Sequence, residues 1–266
     1  MKVALLTARL QSPEVLALCK ALGDSGLAVW EIVCARNPID SPLRHWFANN
    51  VLIRRIISRS SRGSGLEPCE RISGELKRRD IRYCFFTQTF NSPKVIGYLR
   101  RLQPDLLINF RGPVYRKAMI ETARIGVINC HMAILPEFRG MNVAEWSVLH
   151  GYPTGNTIHF IDPGIDTGRI LAFFDVPVAD CHTVEAMREK LFGLHHEHVA
   201  RAVKLLVDGE IRPIEQEPGA GKQYFRMHPT LKERVERLLA QGYEPAVDLS
   251  ARPYVYEDSG RSADRI

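Results

Sequence analysis

Long apolar runs are missing from this sequence of 266 residues. No stretch approaches the roughly 20 consecutive apolar residues that a membrane span needs, so no span is expected. Residues 1–9 hold too short an apolar run for a secretory leader and lack a small-residue cleavage site. The six cysteines, Cys19, Cys34, Cys69, Cys84, Cys130 and Cys181, form no CxxC pair and keep no regular spacing. A chain of this size does not need a disulfide framework, so reduced thiols and a cytoplasmic location are expected. Glycine is missing where dinucleotide folds need it. The first strand-to-helix turn, residues 8–13, has none. The GxGxxG fingerprint is absent, which argues against nicotinamide or flavin at the usual place, and no GxxxxGK loop followed by Ser or Thr occurs either.

What is present is an ordinary globular composition, 45% hydrophobic and 25% charged, able to bury a core. The formal net charge of +6 favours anionic partners such as nucleotide-linked substrates, tRNA or a polyglutamylated cofactor. Its pairs, Arg54-Arg55 and Arg100-Arg101 among them, are spread out and read as a solvated face.

The first half alternates strand and helix. Residues 3–7 are almost wholly apolar, as a parallel strand covered on both faces should be. Ser12, Pro13 and Glu14 supply an N-cap, a proline at the first helical position and an acid in the first turn. Strands are expected at 28–34, 82–87, 105–110 and 126–131, with helices at 92–102 and 116–123. Residues 38–72 break the rhythm and read as a surface insertion around an amphipathic piece near 46–57. The spacing predicts an α/β fold, a doubly wound, mainly parallel sheet. After residue 155 come short strands at 157–162 and 170–176, one long helix over 183–206, and a polar, basic tail. The expected division is a domain over 1–180, carrying the 38–72 insertion, and a C-terminal extension over 181–266.

Chemistry concentrates in three pieces. In a strand, residues two apart point to one side, so Asn129 and His131 project together from an otherwise apolar segment. They stand at the end of a parallel strand, where open α/β sheets place ligands. Asn129 is a neutral donor; His131 can act as acid or base near neutral pH. Then come Leu135-Pro136-Glu137-Phe138-Arg139-Gly140 and Asp162-Pro163-Gly164-Ile165-Asp166-Thr167-Gly168. Taken locally, Asp166 is as well explained as a turn former between two glycines. His195-His196-Glu197-His198 reads as a polar helix face, and no metal is expected.

The order N-x-H, L-P-x-x-R-G and D-x-G-x-D-T-G resembles the folate-dependent formyltransferase family, including methionyl-tRNA, glycinamide ribonucleotide and nucleotide-sugar N-formyltransferases. The resemblance covers residues 80–180 well and the first 37 loosely. It implies a Rossmann-like fold, 10-formyltetrahydrofolate as formyl donor, and catalysis by Asn129, His131 and Asp166. Attack of an amine on the formyl carbon puts negative charge on oxygen, which a preorganised donor stabilises by ~3–4 kcal/mol. The attacking nitrogen must also lose a proton, for which His131 and Asp166 are the candidates. It further implies a pterin pocket from Arg111, Gly112, Val114 and Tyr115, and from Asp162, Gly164 and Ile165. Pro113 removes a main-chain donor there, and Tyr115 stands where a leucine is usual.

The segment Gly140 to Trp146 resembles the sugar-modifying branch, so the expected acceptor is the amino group of a nucleotide-linked amino sugar. Another small amine or hydroxylamine is the alternative. tRNA is disfavoured, because the residues after 178 look too few and too helical for the extra domain of that branch. A formyl-folate hydrolase or a silent folate binder is the reading from a different class; hydrolases of this fold usually carry an extra N-terminal domain. No membrane partner is expected, and a homodimer is compatible with the sequence.

Overall fold

The computed structural model describes residues 1–10, 12–36 and 67–257. The amphipathic piece at 46–57 lies outside them. The chain forms two compact units, the first comprising Met1–Asn129, Phe160–Pro163 and Val199–Lys204, the second Cys130–His159, Gly164–His198 and Leu205–Ile266.

In the first unit, strands β1 (Val3–Thr7), β2 (Val29–Arg36), β3 (Arg82–Thr89), β4 (Leu106–Phe110) and β5 (Gly126–His131, its last two residues counting with the second unit) pair in parallel in the order β3-β2-β1-β4-β5. The order reverses between β1 and β4, the doubly wound arrangement expected from the alternation. Strand β1 is buried at every position, which is why its run is apolar without period. Helix α1 (Pro13–Asp24) starts at Ser12 as expected. The Ser12 hydroxyl, however, bonds the Glu14 carboxylate, and the Val15 N–H returns to the Ser12 carbonyl at 3.0 Å. Gly26, at φ 76°, ends the helix, with the Leu27 N–H on the Leu22 carbonyl at 2.8 Å.

Helix α2 (Glu67–Arg78) takes the last residues of the expected insertion. Pro68 sits in the first turn of this helix, where its missing N–H costs nothing. Helix α3 (Pro93–Leu102) is capped by Ser92, whose side chain accepts from the Val95 N–H at 3.4 Å. Helix α4 is a single turn, Lys117–Ile120. The core on one side of this sheet joins Ala4, Leu6, Val33, Phe90, Leu99, Leu107, Tyr115 and Val127.

The second unit holds β6 (Phe138–Gly140), α5 (Val143–Leu149), β7 (Gly155–Phe160), β8 (Ile170–Asp175), α6 (Val184–Gly193), α7 (His195–Asp208), β9 (Lys222–Tyr224), α8 (Pro229–Ala240) and β10 (Val255–Glu257). Of these, Phe160 and part of α7 count with the first unit. Strands β7 and β8 are antiparallel, β8 and β10 parallel, and β6 pairs in parallel with β9. The single helix expected over 183–206 is two. Gly193 closes the first, and Leu194 precedes the second. The histidine face is also different from its reading. His195 and His198 are buried, and His198 stacks on Phe174 with ring centroids 4.5 Å apart and meets the Asn156 side chain at 3.0 Å. Helix α8 was not expected. Its apolar residues Val235 and Leu239 pack with Ala144, Val148, Met187 and Leu191.

Candidate active site

The expected site residues fall into two clusters, one in each unit. Asn129 is the fourth residue of β5, and its partner is Asn109 on the adjacent β4. The Asn109 Nδ2 lies 2.8 Å from the Asn129 Oδ1. The Asn109 Oδ1 accepts from the Gly112 N–H at 2.9 Å and from the Tyr115 hydroxyl at 2.7 Å.

These bonds shape the loop after β4. Arg111 takes φ 58°, turning the chain so that the Gly112 N–H faces back to Asn109. A Cβ at residue 112 would collide with the Tyr115 hydroxyl and the Asn109 oxygen. Tyr115 is buried against Phe90, ring centroids 5.5 Å apart, whereas Val114 is exposed. Asn91 holds the outer part of the loop, donating to the Val114 carbonyl at 2.9 Å and accepting from the Arg116 N–H at 2.8 Å. Asp162 also belongs to the first unit and follows Ile161, whose N–H reaches the Val127 carbonyl at 2.7 Å.

In the second unit, His131 and Asp166 come together. The His131 Nε2 lies 2.6 Å from the main-chain carbonyl of Phe138. A carbonyl only accepts, so Nε2 carries a proton, and Nδ1 is the ring nitrogen that this bond does not engage. That Nδ1 stands 3.5 Å from the Asp166 Oδ2. The carboxylate is itself held in place, because Oδ2 accepts from the Gly140 N–H at 2.9 Å. Its main chain, at φ 54°, is pinned by Gln216, whose Nε2 donates to the Asp166 carbonyl at 3.0 Å and to the Gly168 carbonyl at 2.6 Å. His159 stands on the other side, with Nε2 at 3.7 Å from the Asp166 Oδ1. Gly164 and Ile165 lead into this turn, and a Cβ at Gly164 would collide with Thr167.

The segment 135–140 supplies the scaffold for both contacts. Leu135 and Phe138 are buried, which aims the Phe138 carbonyl at His131. Gly140 takes φ 101° where β6 meets β9, and a Cβ there would strike the Tyr224 carbonyl. Desolvation holds the Cys130 thiol well above its usual range, so the residue between Asn129 and His131 stays a neutral thiol rather than a nucleophile.

Asn109, His159 and Gln216 were not expected from the sequence. Asn109 carried a signal, being the one polar residue of Leu106–Phe110. His159 lay in an expected strand without a companion motif, and Gln216 lies in a stretch with no local pattern. The first unit offers an amide of fixed orientation, and the second an imidazole with one nitrogen fixed on a carbonyl beside an anchored carboxylate. An oriented amide suits a developing oxyanion, and an imidazole beside a carboxylate suits transfer of a proton.

Comparison with known proteins gives the same direction. The family profile described as formyl transferase matches residues 51–203, more than half of the chain. A methionyl-tRNA formyltransferase of Clostridium perfringens is 33% identical over 128 residues, 47% of this chain and 41% of the relative. One from Phocaeicola vulgatus is 35% identical over 116 residues, 43% of this chain and 36% of the relative. The chain thus matches only about two fifths of the length of these curated relatives. A sugar N-formyltransferase from Shewanella superposes with a TM-score of 0.56 at 16% identity, covering 90% of this chain and 87% of that one. The phosphoribosylglycinamide formyltransferase of Anaplasma phagocytophilum gives 0.56 at 18%, covering 85% and 99%. At those identities the structures speak for the fold alone.

Proposed function

This chain belongs to the formyl transferase family, and from that premise we propose that it moves a formyl group from 10-formyltetrahydrofolate to a primary amine. The observation that carries the reading is His131, with Nε2 fixed on the Phe138 carbonyl and Nδ1 turned to an anchored Asp166.

The residues divide the work. Asn129 donates to the formyl oxygen as negative charge gathers there, an interaction typically worth ~3–4 kcal/mol when the donor is preorganised. His131 takes the amine proton at Nδ1, the ring nitrogen that the Phe138 carbonyl does not engage. Asp166 then stabilises the imidazolium across 3.5 Å, with His159 on its far oxygen. The folate donor supplies an activated formyl carbon. The residues present fit it in kind. The first unit offers an exposed apolar Val114 beside the main chain of Arg111 and Gly112, with Asp162 as a polar group, and Gly164 and Ile165 follow. Tyr115 acts from beneath this loop, since its ring is in the core.

As acceptor we propose the amino group of a nucleotide-linked amino sugar. Trp146 stacks on His150 and packs on Tyr224 at 4.8 Å, while its Nε1 holds the Phe225 carbonyl at 3.2 Å. Phe225 is 70% exposed. Aromatic rings of this kind suit the faces of sugars and nucleobases. The names of the curated relatives favour methionyl-tRNA as the second reading.

One panel separates them. The protein is incubated with 10-formyltetrahydrofolate and, in turn, nucleotide-linked amino sugars, glycinamide ribonucleotide, hydroxylamines and methionyl-tRNA. Formylated sugar is the expected product. Turnover with methionyl-tRNA alone would move the acceptor, and tetrahydrofolate release without any amine would make the protein a hydrolase.

A further inference from the structure

Amide side chains are ambiguous. Rotation by 180° exchanges a donor for an acceptor, and a donor is useful at a developing oxyanion where an acceptor is harmful. In the first unit, a chain of hydrogen bonds removes that ambiguity for Asn129.

The chain starts from a group that cannot be reversed. The Gly112 N–H only donates, so the Asn109 atom 2.9 Å from it is oxygen. The Tyr115 hydroxyl reaches the same oxygen at 2.7 Å, and burial raises this phenol above its usual range, so it keeps its proton and donates. Both acceptor positions of the Asn109 oxygen are thereby used. Its NH2 lies at the other end of the amide, 2.8 Å from Asn129, and an NH2 only donates. The Asn129 atom facing it is therefore Oδ1, and the Asn129 NH2 is directed away from Asn109. Gly112 is small because a Cβ would fill the space taken by the tyrosine hydroxyl and the asparagine oxygen.

We propose that Asn109, oriented by Gly112 and Tyr115, is a positioning residue that locks the Asn129 amide with its NH2 turned to the formyl oxygen. The proposal rests on the reading of Asn129 as oxyanion donor.

Asn109→Asp tests it sharply. The carboxylate is nearly isosteric and still accepts from Gly112 and Tyr115, but it presents an oxygen to Asn129. Asn129 must then turn its NH2 inward. With 10-formyltetrahydrofolate and a nucleotide-linked amino sugar as probes, kcat should fall at least ~100-fold, the loss of an oxyanion donor, with both KM values little changed. Asn109→Ala leaves Asn129 able to turn either way and should lose less than Asn109→Asp, the reverse of what packing alone demands. In an Asn129→Ala background, Asn109→Asp should cost nothing more.

A side-chain amide NMR spectrum gives a readout independent of turnover. In Asn109→Asp the Asn129 NH2 protons should shift and exchange more slowly, because they now bond a carboxylate. Should that variant not fold, Tyr115→Phe removes one of the two donors on Asn109 and should lower kcat without moving KM. Full turnover in Asn129→Ala would sink the oxyanion reading itself. A crippled Asn129→Ala beside a normal Asn109→Asp or Tyr115→Phe would overturn this proposal alone, as would unchanged Asn129 resonances in Asn109→Asp.

Discussion

His131 donates through Nε2 to the main-chain carbonyl of Phe138 at 2.6 Å, across a gap of seven residues. The bond decides which nitrogen can take a proton. It also ties His131 to the segment 135–140, whose last N–H holds Asp166. One short segment therefore sets both the tautomer of the imidazole and the position of the carboxylate.

His131→Ala should remove the proton acceptor and lower turnover at least ~100-fold. It also leaves the Phe138 carbonyl without this donor, a loss of about 1–3 kcal/mol for a buried group. The variant should still fold, because Val127, Ile128 and Ala133 remain buried around it. Steady-state kinetics and a melting curve check the two effects. Near-normal turnover in the folded variant would return His131 to a structural role.

How much of this could be read in the sequence follows from where each partner lies. Strands β1 and β4 were legible because burial at nearly every position makes them apolar runs, and β1 and β5 fall where expected. Asn129 and His131 were legible from a period of two. The partners of Asn109 and Gln216 were not, since they lie 20 and 50 residues away and only the fold brings them close. The three-residue strands β6 and β9 are too short to carry a period. Helix α8 was there to be read, with Leu231, Val235 and Leu238 at helical spacing behind Pro229, but the surrounding charge hid it.

Folate binding has a direct test. 5-Formyltetrahydrofolate, an unreactive isomer of the donor, should raise the melting temperature, since ligand at 100 times its Kd stabilises the folded state by about 2.7 kcal/mol. Nicotinamide dinucleotides should leave it unchanged, because the turn after β1 has no glycine to admit a pyrophosphate. A shift with NAD and none with folates would contradict the cofactor assignment.

Gly140→Ala should damage both structure and chemistry. Its φ of 101° is open mainly to glycine, and the new methyl would press on the Tyr224 carbonyl. A penalty of roughly 1–3 kcal/mol is expected for the strained residue. Any protein that folds should have a displaced Gly140 N–H and a loosened Asp166, so turnover should drop further than the melting temperature suggests. Unchanged kinetics at reduced stability would show that the Gly140 contact to Asp166 does no more than hold the loop.

Asp166→Asn separates the turn former from the catalytic carboxylate. The residue sits at φ 54°, a left-handed conformation that asparagine tolerates as well as aspartate. The amide oxygen can still accept from the Gly140 N–H, and the main-chain carbonyl can still receive Gln216. What disappears is the charge opposite His131 and His159. A turn former should survive the exchange with turnover and stability intact. If the carboxylate stabilises the His131 imidazolium, turnover should fall by orders of magnitude while 5-formyltetrahydrofolate binds as before, because the substitution leaves the loop's shape alone. Asp166→Ala, which must pay about 1–2 kcal/mol for the left-handed conformation, should lose stability as well. Both quantities, folate affinity and formyl-transfer rate, are measured on the same protein. Joint loss in Asp166→Asn would mean that the loop had collapsed, and loss of neither would take Asp166 out of the mechanism.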